Sequence, residues 1–326
     1  MHRATHFLGT TRGITLLAVI VLMIIGAMRS VALGDPLPGE IRKFSQRPLD
    51  GLVPIPGGPT YWGHDEVSTA LRTANTAPYQ GNFMADDFAD KFSTPVVHVS
   101  WWGSYLDQQQ FAGVKKFLIS FETDVPASPT GGFSHPGTPI LSQVVTRGAL
   151  APTSGTFTEA LISPGGPPLL EKLYQYNAEL KFPFPQQANT VYWIKIAALV
   201  DVPTDGNIRW GWHDRDYRLF DPLASTPPLV SPGERDIGAG TPFSPVWHFQ
   251  DDAVSGLMTT LVSPDNLVLS LEQSGYAPEH YLDFIDGPQG IGQFSKDLAF
   301  ELYTIPEPTI ALLAMGGMLF LRRHRR

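Results

Sequence analysis

Short runs of β-branched and aromatic residues recur along the middle of the chain, and each is bounded by proline, glycine, asparagine or aspartate. This pattern favours strands joined by turns, for which the 31 glycines and 30 prolines are well suited. Stretches with a helical period are scarce, and the one candidate helix is Glu66 to Asn75. The predicted strands are Val96 to Trp102, Lys116 to Glu122, Ile140 to Thr146, Leu173 to Leu180, Val191 to Leu199, Ile208 to Trp212, Val246 to Gln250 and Leu298 to Tyr303.

The order of apolar residues within two runs predicts how they are buried. Phe117, Ile119 and Phe121 share one face of their strand. The run from Val191 to Leu199 is apolar on both faces, as expected of a strand buried between two layers. Many strands with few helices favour an all-β fold. We expect a jelly-roll-like antiparallel β-sandwich at residues 83–304, after a Pro/Gly-rich lead-in at residues 33–82.

Residues 1–32 have the layout of a secretory signal peptide. Arg3 and Arg12 precede an uncharged apolar run from Ile14 to Met28, and Ser30 to Ala32 offers small residues to signal peptidase. The run is shorter than the roughly 20 residues that a membrane-spanning helix needs. We therefore expect export, with an uncleaved N-terminal anchor as the alternative.

Residues 305–326 have three parts in a fixed order. Pro306, Glu307 and Pro308 come first and are followed by an uncharged apolar segment, Thr309 to Leu321. The chain then ends in a basic cluster that contains Arg322, Arg323, Arg325 and Arg326. These arginines favour a cytoplasmic tail. Thirteen helical residues span only about 20 Å, whereas the hydrocarbon core of a membrane is about 30 Å thick. So short a helix is a poor permanent anchor, and we expect it to be a temporary transmembrane helix.

This three-part ending resembles the PEP-CTERM sorting signal of Gram-negative bacteria. The resemblance implies that an exosortase, an enzyme embedded in the membrane, cleaves the chain near Pro306 to Pro308 after export. It also implies a transient anchor in the inner membrane, followed by a location on the cell surface or outside the cell. It implies nothing about the activity of the body of the protein.

The charge and cysteine content exclude several classes of function. Without its two ends the chain keeps 16 basic and 30 acidic residues, a net charge of −14 over residues 33–304. An acidic body disfavours binding to nucleic acid, which depends on lysine and arginine. The chain has no cysteine, which excludes disulfide scaffolds, zinc–thiolate sites, iron–sulfur clusters and cysteine nucleophiles.

Four short motifs lie within residues 80–255 of the body. They are Ala85 to Phe88, Trp102 to Tyr105, Phe121 to Pro126 and Trp247 to Val254. As a set they resemble an uncharacterised all-β ectodomain that recurs in PEP-CTERM proteins of environmental bacteria. The resemblance implies an all-β fold and an exported location, and it carries no established activity.

Two pairs of adjacent aspartates are candidate metal ligands. Asp86 and Asp87 precede the first clear strand, and Asp251 and Asp252 follow a late one. Because the first and last strands of a jelly roll often lie side by side, the four carboxylates are expected to meet, and a cation would relieve their repulsion. Oxygen ligands suit Ca²⁺, so we expect a structural calcium ion. The alternatives are turn caps and a glycan-processing hydrolase that uses the same carboxylates.

Three tryptophans are candidate ligand-binding residues. Trp101 and Trp102 are adjacent on a strand, so one indole faces the core and the other is available to a sugar or covered by a loop. Trp212 belongs to a cluster from Trp210 to Tyr217, whose aromatic rings suit sugar stacking. The favoured interpretation of that cluster is a strand ending in a charged turn, with an Asp214–Arg215 or an Asp216–Arg218 ion pair. Asp65 is read as the N-cap of the short helix.

Motifs for other chemistries are missing from the sequence. There is no nucleophile elbow, HExxH, Walker loop or dinucleotide fingerprint. The histidines, among them His98 and His213, are scattered without metal-ligand spacing, so we expect surface or satisfied core histidines. The sequence therefore predicts a non-enzymatic exported protein that contacts extracellular polysaccharide. The alternatives are a hydrolase using the paired aspartates and a purely structural matrix protein.

Overall fold

The computed structural model describes residues 36–49, 52–54, 60–63, 65–106, 113–126, 133–165, 172–216, 223–224, 230–236, 244–247, 253–278 and 297–306. The described chain is nearly all β, as predicted, with one short helix, α1 (Val202–Asp205). The strands are β1 (Ile41–Gln46), β2 (Leu52–Pro54), β3 (Thr60–Trp62), β4 (Asp65–Val67), β5 (Thr69–Arg72), β6 (Tyr79–Phe88), β7 (Val96–Tyr105), β8 (Lys116–Val125), β9 (His135–Arg147), β10 (Thr156–Ser163), β11 (Leu173–Phe184), β12 (Tyr192–Asp201), β13 (Trp210–His213), β14 (Val230–Asp236), β15 (Ser244–Trp247), β16 (Val254–Val262), β17 (Val268–Pro278) and β18 (Phe300–Thr304).

One large mixed sheet contains 14 of these strands. Its order is β1-β18-β7-β11-β10-β9-β8-β12-β5-β6-β16-β17, and β13 pairs with both β7 and β4. Most neighbours are antiparallel, but β10 runs parallel to β9 and β12 runs parallel to β5. The sheet is therefore not purely antiparallel as predicted. Residue alternation shows which face a side chain is on but not the direction of the neighbouring strand, so the sequence did not reveal the parallel pairs.

An aromatic core lies between two parts of this sheet, which gives the fold its sandwich-like form. The ring of Phe117 on β8 lies 5.1 Å from Trp101 on β7 and 5.2 Å from Tyr176 on β11, centroid to centroid. Trp210 on β13 packs against the same ring at 4.9 Å. Because β7 and β8 are not neighbours in the sheet, these contacts require the sheet to fold over on itself. Phe117, Ile119 and Phe121 all point into this core, as predicted.

A second core lies on the opposite face of β12. Ile194, Ile196 and Ala198 belong to the aromatic core, whereas Trp193, Ala197 and Leu199 belong to the second one. The hairpin of β16 and β17 contributes Val254, Met258 and Val262 to this second core. The prediction that this strand is buried on both faces is confirmed.

A buried polar network joins the hairpin to the sheet. The Lys195 ammonium donates to Glu122 Oε1 at 2.7 Å and also to Gln273 Oε1 on β17. Gln273 Nε2 donates to Glu122 Oε2 at 2.7 Å. The ammonium lies 4.0 Å from the ring centroid of Phe83, and burial lowers the pKa of Lys195 although Glu122 opposes that shift.

Part of the predicted lead-in belongs to the sheet. β1 pairs with β18, and β5 pairs with both β12 and β6. The helix predicted from Glu66 to Asn75 is wrong, because β4 and β5 occupy that segment. Asp65 is accordingly a strand residue and caps no helix. Pairing with distant strands outweighs the weak local preference for a helix here.

No helix within the described part of the chain is long and apolar enough to cross a membrane. The predicted signal peptide, residues 1–32, lies outside the described residues, and so do Glu307, Pro308 and the segment from Thr309 to Arg326.

The buried pair of Lys195 and Glu122 gives a test of this architecture. We expect Glu122→Leu to lower the free energy of unfolding by about 3–5 kcal/mol, because it leaves a buried ammonium without its carboxylate. The double variant Glu122→Leu/Lys195→Met removes both charges and should recover most of that loss. Urea unfolding followed by tryptophan fluorescence measures both effects. Glu272→Gln, at an exposed position of β17, is the control and should change the value by less than about 0.5 kcal/mol. A double variant no more stable than the single one would contradict this account.

Candidate functional site

The three predicted ligand-binding tryptophans are all buried. Trp101 is fully covered and stacks on Tyr176 at 5.4 Å, whereas Trp102 faces the other side of β7 and packs with Leu173 and Ala299. The two indoles thus point to opposite faces, as predicted, but both faces are covered. Trp212 is also in the core, and its indole N–H donates to the carbonyl oxygen of Ala299 at 2.8 Å. None of the three offers an exposed ring to a sugar.

Asp86 and Asp87 lie at the end of β6 and are also fully buried. Asp86 Oδ2 accepts a hydrogen bond from the backbone N–H of Leu298 at 2.7 Å, and Asp86 Oδ1 accepts one from the N–H of Asp87 at 2.9 Å. Burial raises the pKa of Asp86 well above its usual range, and the nearby carboxylates of Asp297 and Asp87 raise it further. Asp86 thus belongs to a buried group of neighbouring carboxylates that includes Asp87 and Asp297.

An arginine from the predicted charged turn reaches the same region. Arg215 Nε lies 2.5 Å from Asp297 Oδ2, and the backbone N–H of Arg215 donates to the Asp297 carbonyl oxygen at 3.0 Å. The sequence predicted an Asp214–Arg215 pair, but the partner comes from a distant segment. The alternative Asp216–Arg218 pair involves Arg218, which lies outside the described residues.

The two other predicted calcium ligands, Asp251 and Asp252, lie outside the described residues. Val254 pairs with Ala85, the residue next to Asp86, so β16 enters the sheet beside the first aspartate pair. The calcium site on these four residues stays a prediction. Asp86 and Asp87 do not reach the surface, so neither lines an open cleft of the kind that a glycosidase uses.

A second buried charged pair joins β13 to β4. His213 Nδ1 donates to Asp65 Oδ1 at 2.8 Å, and His213 Nε2 donates to the carbonyl oxygen of Leu49 at 3.1 Å. Ser104 donates to the other oxygen of Asp65. Burial alone would lower the pKa of His213, but the carboxylates of Asp65 and Asp214 outweigh burial and raise it to about 9. His213 is therefore an imidazolium that ties two strands together.

A surface cleft lies where β9, the turn before β10, β11 and the β16–β17 turn approach one another. It holds about 110 Å³, less than the roughly 300 Å³ at which small-molecule pockets begin. The residues that argue for binding here are the aromatic Phe182 and the polar Ser142, Ser154, Lys181, Asp265 and Asn266. A cleft of this size suits contact with one residue of a longer chain.

Phe182 is presented to solvent on a fixed backbone. Its side chain is 48% exposed. The other large apolar side chains that are exposed in the described part of the chain are all aliphatic. The buried Gln143 amide donates to the Phe182 carbonyl oxygen at 3.0 Å and accepts from the Phe182 N–H at 3.2 Å. The ammonium of Lys181 lies 5.5 Å from the centroid of the ring. Phe182 was not predictable as a binding residue, because nothing in the neighbouring sequence distinguishes an exposed phenylalanine from a buried one.

Comparison with known proteins gives one match. Residues 42–238, more than half of the chain, match a domain of unknown function, DUF7901. No curated protein and no solved structure matches the chain. The matched range ends before β16 and β18, although both strands pair within the same large sheet.

The His213–Asp65 pair predicts a particular pH dependence of stability. A histidine whose pKa is raised by folding stabilises the folded state. The full contribution is present at pH values below the pKa of the unfolded state, about 6.5, and it is lost as the pH rises through the folded-state pKa of about 9. We expect Asp65→Asn to be less stable than the natural protein by roughly 3 kcal/mol at pH 6, and the difference to shrink steadily up to pH 10.

Urea unfolding at several pH values measures that difference. The control is Glu272→Gln, at an exposed position of β17, which should change the stability by less than about 0.5 kcal/mol at every pH. A difference between Asp65→Asn and the natural protein that stays constant from pH 6 to pH 10 would rule out the proposed imidazolium.

Proposed function

We propose that this chain, which belongs to the DUF7901 family of domains of unknown function, is an exported, non-enzymatic protein that contacts extracellular polysaccharide at the cell surface or in the matrix. The observation that carries the proposal is the cleft beside Phe182, where an exposed ring stands next to hydroxyl, amide and charged side chains.

The chemistry of this cleft suits a carbohydrate. The apolar face of a sugar packs on an aromatic ring, while its hydroxyl groups need donors and acceptors around the rim. Ser142, Ser154 and Asn266 supply neutral polar groups, and Lys181 and Asp265 supply one charge of each sign. The balanced lining favours a neutral glycan over a strongly anionic one.

The architecture of the chain ends supports sorting by exosortase. The last strand, β18, ends at Thr304, and the next residue, Ile305, is 54% exposed. The Pro306-Glu307-Pro308 motif therefore begins as soon as the sheet ends, and cleavage there would leave every described strand intact. In this proposal signal peptidase removes residues 1–32, the apolar segment Thr309 to Leu321 anchors the chain transiently in the inner membrane, and exosortase then transfers it outward.

We infer a jelly-roll-like arrangement within the sandwich from the position of the two terminal strands. β1 and β18 are antiparallel neighbours, with Ile41 opposite Thr304 and Gln46 opposite Phe300. Adjacent first and last strands are the feature that we expected of a jelly roll. A structural calcium ion at the aspartate pairs remains part of the proposal, as a stabilising ion only.

A binding experiment tests the proposed contact with polysaccharide. The purified chain is incubated with insoluble and soluble polysaccharides, with Ca²⁺ and with EDTA, and is assayed for retention and for new reducing ends. We expect retention without reducing ends. Phe182→Ala should weaken binding about tenfold, which corresponds to about 1.4 kcal/mol.

The matched control is Leu161→Ala, which truncates another exposed apolar side chain on β10 away from the cleft, and it should bind normally. New reducing ends would instead support the glycan-processing hydrolase and make Asp251 and Asp252 the next targets, since Asp86 and Asp87 do not reach the surface. If no polysaccharide retains the chain, the polysaccharide-binding proposal fails, and a purely structural role in the matrix is the interpretation that remains.

A second experiment tests sorting separately. The triple substitution Pro306→Ala/Glu307→Ala/Pro308→Ala should abolish C-terminal processing in a Gram-negative host that has an exosortase, because the recognised motif is gone. Immunoblots of membrane and released fractions follow the size and location of the chain. A substitution of Thr304 to Ser, just before the motif, is the control. Unaltered processing of the triple variant would refute the sorting proposal.

A further inference from the structure

A buried cluster of metal-ligand type lies where β7 and β11 pair in the sheet. His98 on β7 and Glu179 on β11 are directly opposite each other in the register, and Glu40 approaches them from the chain just before β1. The exposed fractions of the three side chains are 0% for His98, 2% for Glu179 and 4% for Glu40. The sequence predicted only a surface or satisfied core histidine at position 98.

The geometry places both carboxylates at the same ring nitrogen. Glu179 Oε1 lies 2.7 Å and Glu40 Oε2 lies 3.4 Å from His98 Nδ1, and one ligand atom from each residue lies within 4.8 Å of the others. Ligand atoms around a tetrahedral zinc ion, each at about 2.0–2.1 Å, are separated by about 3.3 Å. The distances of 2.7 and 3.4 Å from Nδ1 to the two carboxylate oxygens lie on either side of that value. A small movement of the two glutamate side chains would therefore give the separations of a zinc site.

The other ring nitrogen is held by a neighbour in the way that metal-binding histidines usually are. His98 Nε2 lies 3.2 Å from Asn177 Oδ1, which also accepts a hydrogen bond from Ser100. Without a metal ion, Nδ1–H donates to Glu179 at 2.7 Å. A bound ion would replace that proton, because with Nε2–H donating to Asn177 the lone pair that becomes free is on Nδ1, on the side of the carboxylates. Such an outer partner fixes the tautomer and orientation of a metal ligand.

Asn177 provides a second, independent sign of a missing ligand. Its side chain is fully buried and projects from the same face of β11 as Glu179, two residues away. Its Nδ2 has no hydrogen-bond partner among the described residues. A buried amide donor without an acceptor costs about 1–3 kcal/mol. A zinc-bound water that has lost a proton would supply the acceptor, since zinc lowers the pKa of such a water to about 7.

The charges also favour a cation. Within the described part of the chain, the ion pairs of Glu40 and Glu179 are both with His98. The nearby arginines Arg42 and Arg47 pair with Glu301 instead, at 3.1 and 3.5 Å. A metal-bound imidazole carries no charge, so in the metal-bound site the two carboxylates would bring two negative charges, which one divalent ion balances. A mixed nitrogen and oxygen donor set suits zinc rather than calcium, which prefers oxygen alone.

We propose that Glu40, His98 and Glu179 bind one divalent transition-metal ion of the zinc type, with water in the remaining position. The ion is structural. It joins the segment at residues 36–40 to the paired strands β7 and β11. This segment reaches Glu40 through a turn at Gly39, whose φ is 98°. None of these three residues lines the cleft beside Phe182.

Zinc binding to the purified full chain tests the proposal without any glycan. The protein is stripped with EDTA, dialysed and titrated with Zn²⁺ against a chromogenic chelator, and its metal content is measured by mass spectrometry after desalting. We expect one equivalent of zinc with a Kd of about 1 µM or tighter, and a rise in Tm on zinc addition. Glu40→Gln and Glu179→Gln should each bind at least tenfold more weakly.

The matched control is Glu301→Gln, a buried glutamate on the same face whose carboxylate faces Arg42, and it should bind zinc like the natural protein. Circular dichroism checks the fold of each variant. Glu40 lies outside the strands, so Glu40→Gln decides the matter if Glu179→Gln does not fold. Less than stoichiometric zinc in the natural protein, or unchanged affinity in Glu40→Gln, would overturn the proposal.

Discussion

The fold depends on one strand that is apolar on both faces. β12 directs alternate side chains into two different cores, so it must be covered on two sides at once. The folded-over sheet covers the first side with the rings of Trp101, Phe117 and Tyr176, and the β16–β17 hairpin covers the second. Burying a large apolar side chain gives about 1.5–3 kcal/mol, so neither cover is dispensable. β12 is also paired along both of its edges. β8 pairs with one edge, and β6 and the parallel β5 pair with the other, which makes the sheet mixed.

The described buried charges lie where distant segments of the chain meet. Lys195 and Glu122 meet Gln273 under the hairpin, and His213 meets Asp65 between β13 and β4. Arg215 meets Asp297 at 2.5 Å, and Glu40 meets His98 and Glu179 beside β1. A buried charge without its partner is strongly unfavourable, so each pair penalises a wrong arrangement of the segments that it joins. Apolar packing alone would tolerate more arrangements, and these pairs select among them.

The sequence predicts the parts of this structure that depend on neighbouring residues. The faces of Phe117, Ile119 and Phe121, the two-sided burial of β12 and the opposite directions of Trp101 and Trp102 all follow from the period of a strand. Features that depend on distant pairing were not predictable. β4 and β5 replaced a predicted helix, and the partner of Arg215 was misassigned. The β16–β17 hairpin was also missed, although its two strands are neighbours in the sequence, so distant pairing does not account for that omission. The Glu40, His98 and Glu179 cluster comes from three separate segments, so no spacing in the sequence reveals it. Phe182 was missed for a different reason. Its exposure depends on the absence of packing neighbours, which no sequence pattern reports.

The position of β18 has a consequence for how the chain acquires its structure over time. This strand is the last described one, yet it lies inside the sheet between β1 and β7, and β1 has no other sheet partner among the described strands. Phe300 and Leu302 belong to the aromatic core, with the ring of Phe300 5.2 Å from that of Phe44. A chain that emerges from its N-terminus onward therefore cannot close its core until its final strand has appeared. A domain folds as a unit, so the strands made earlier stay without a complete core until β18 has been synthesised. In the export proposed above, such late closure would keep the chain unfolded enough to pass through a narrow protein-conducting channel.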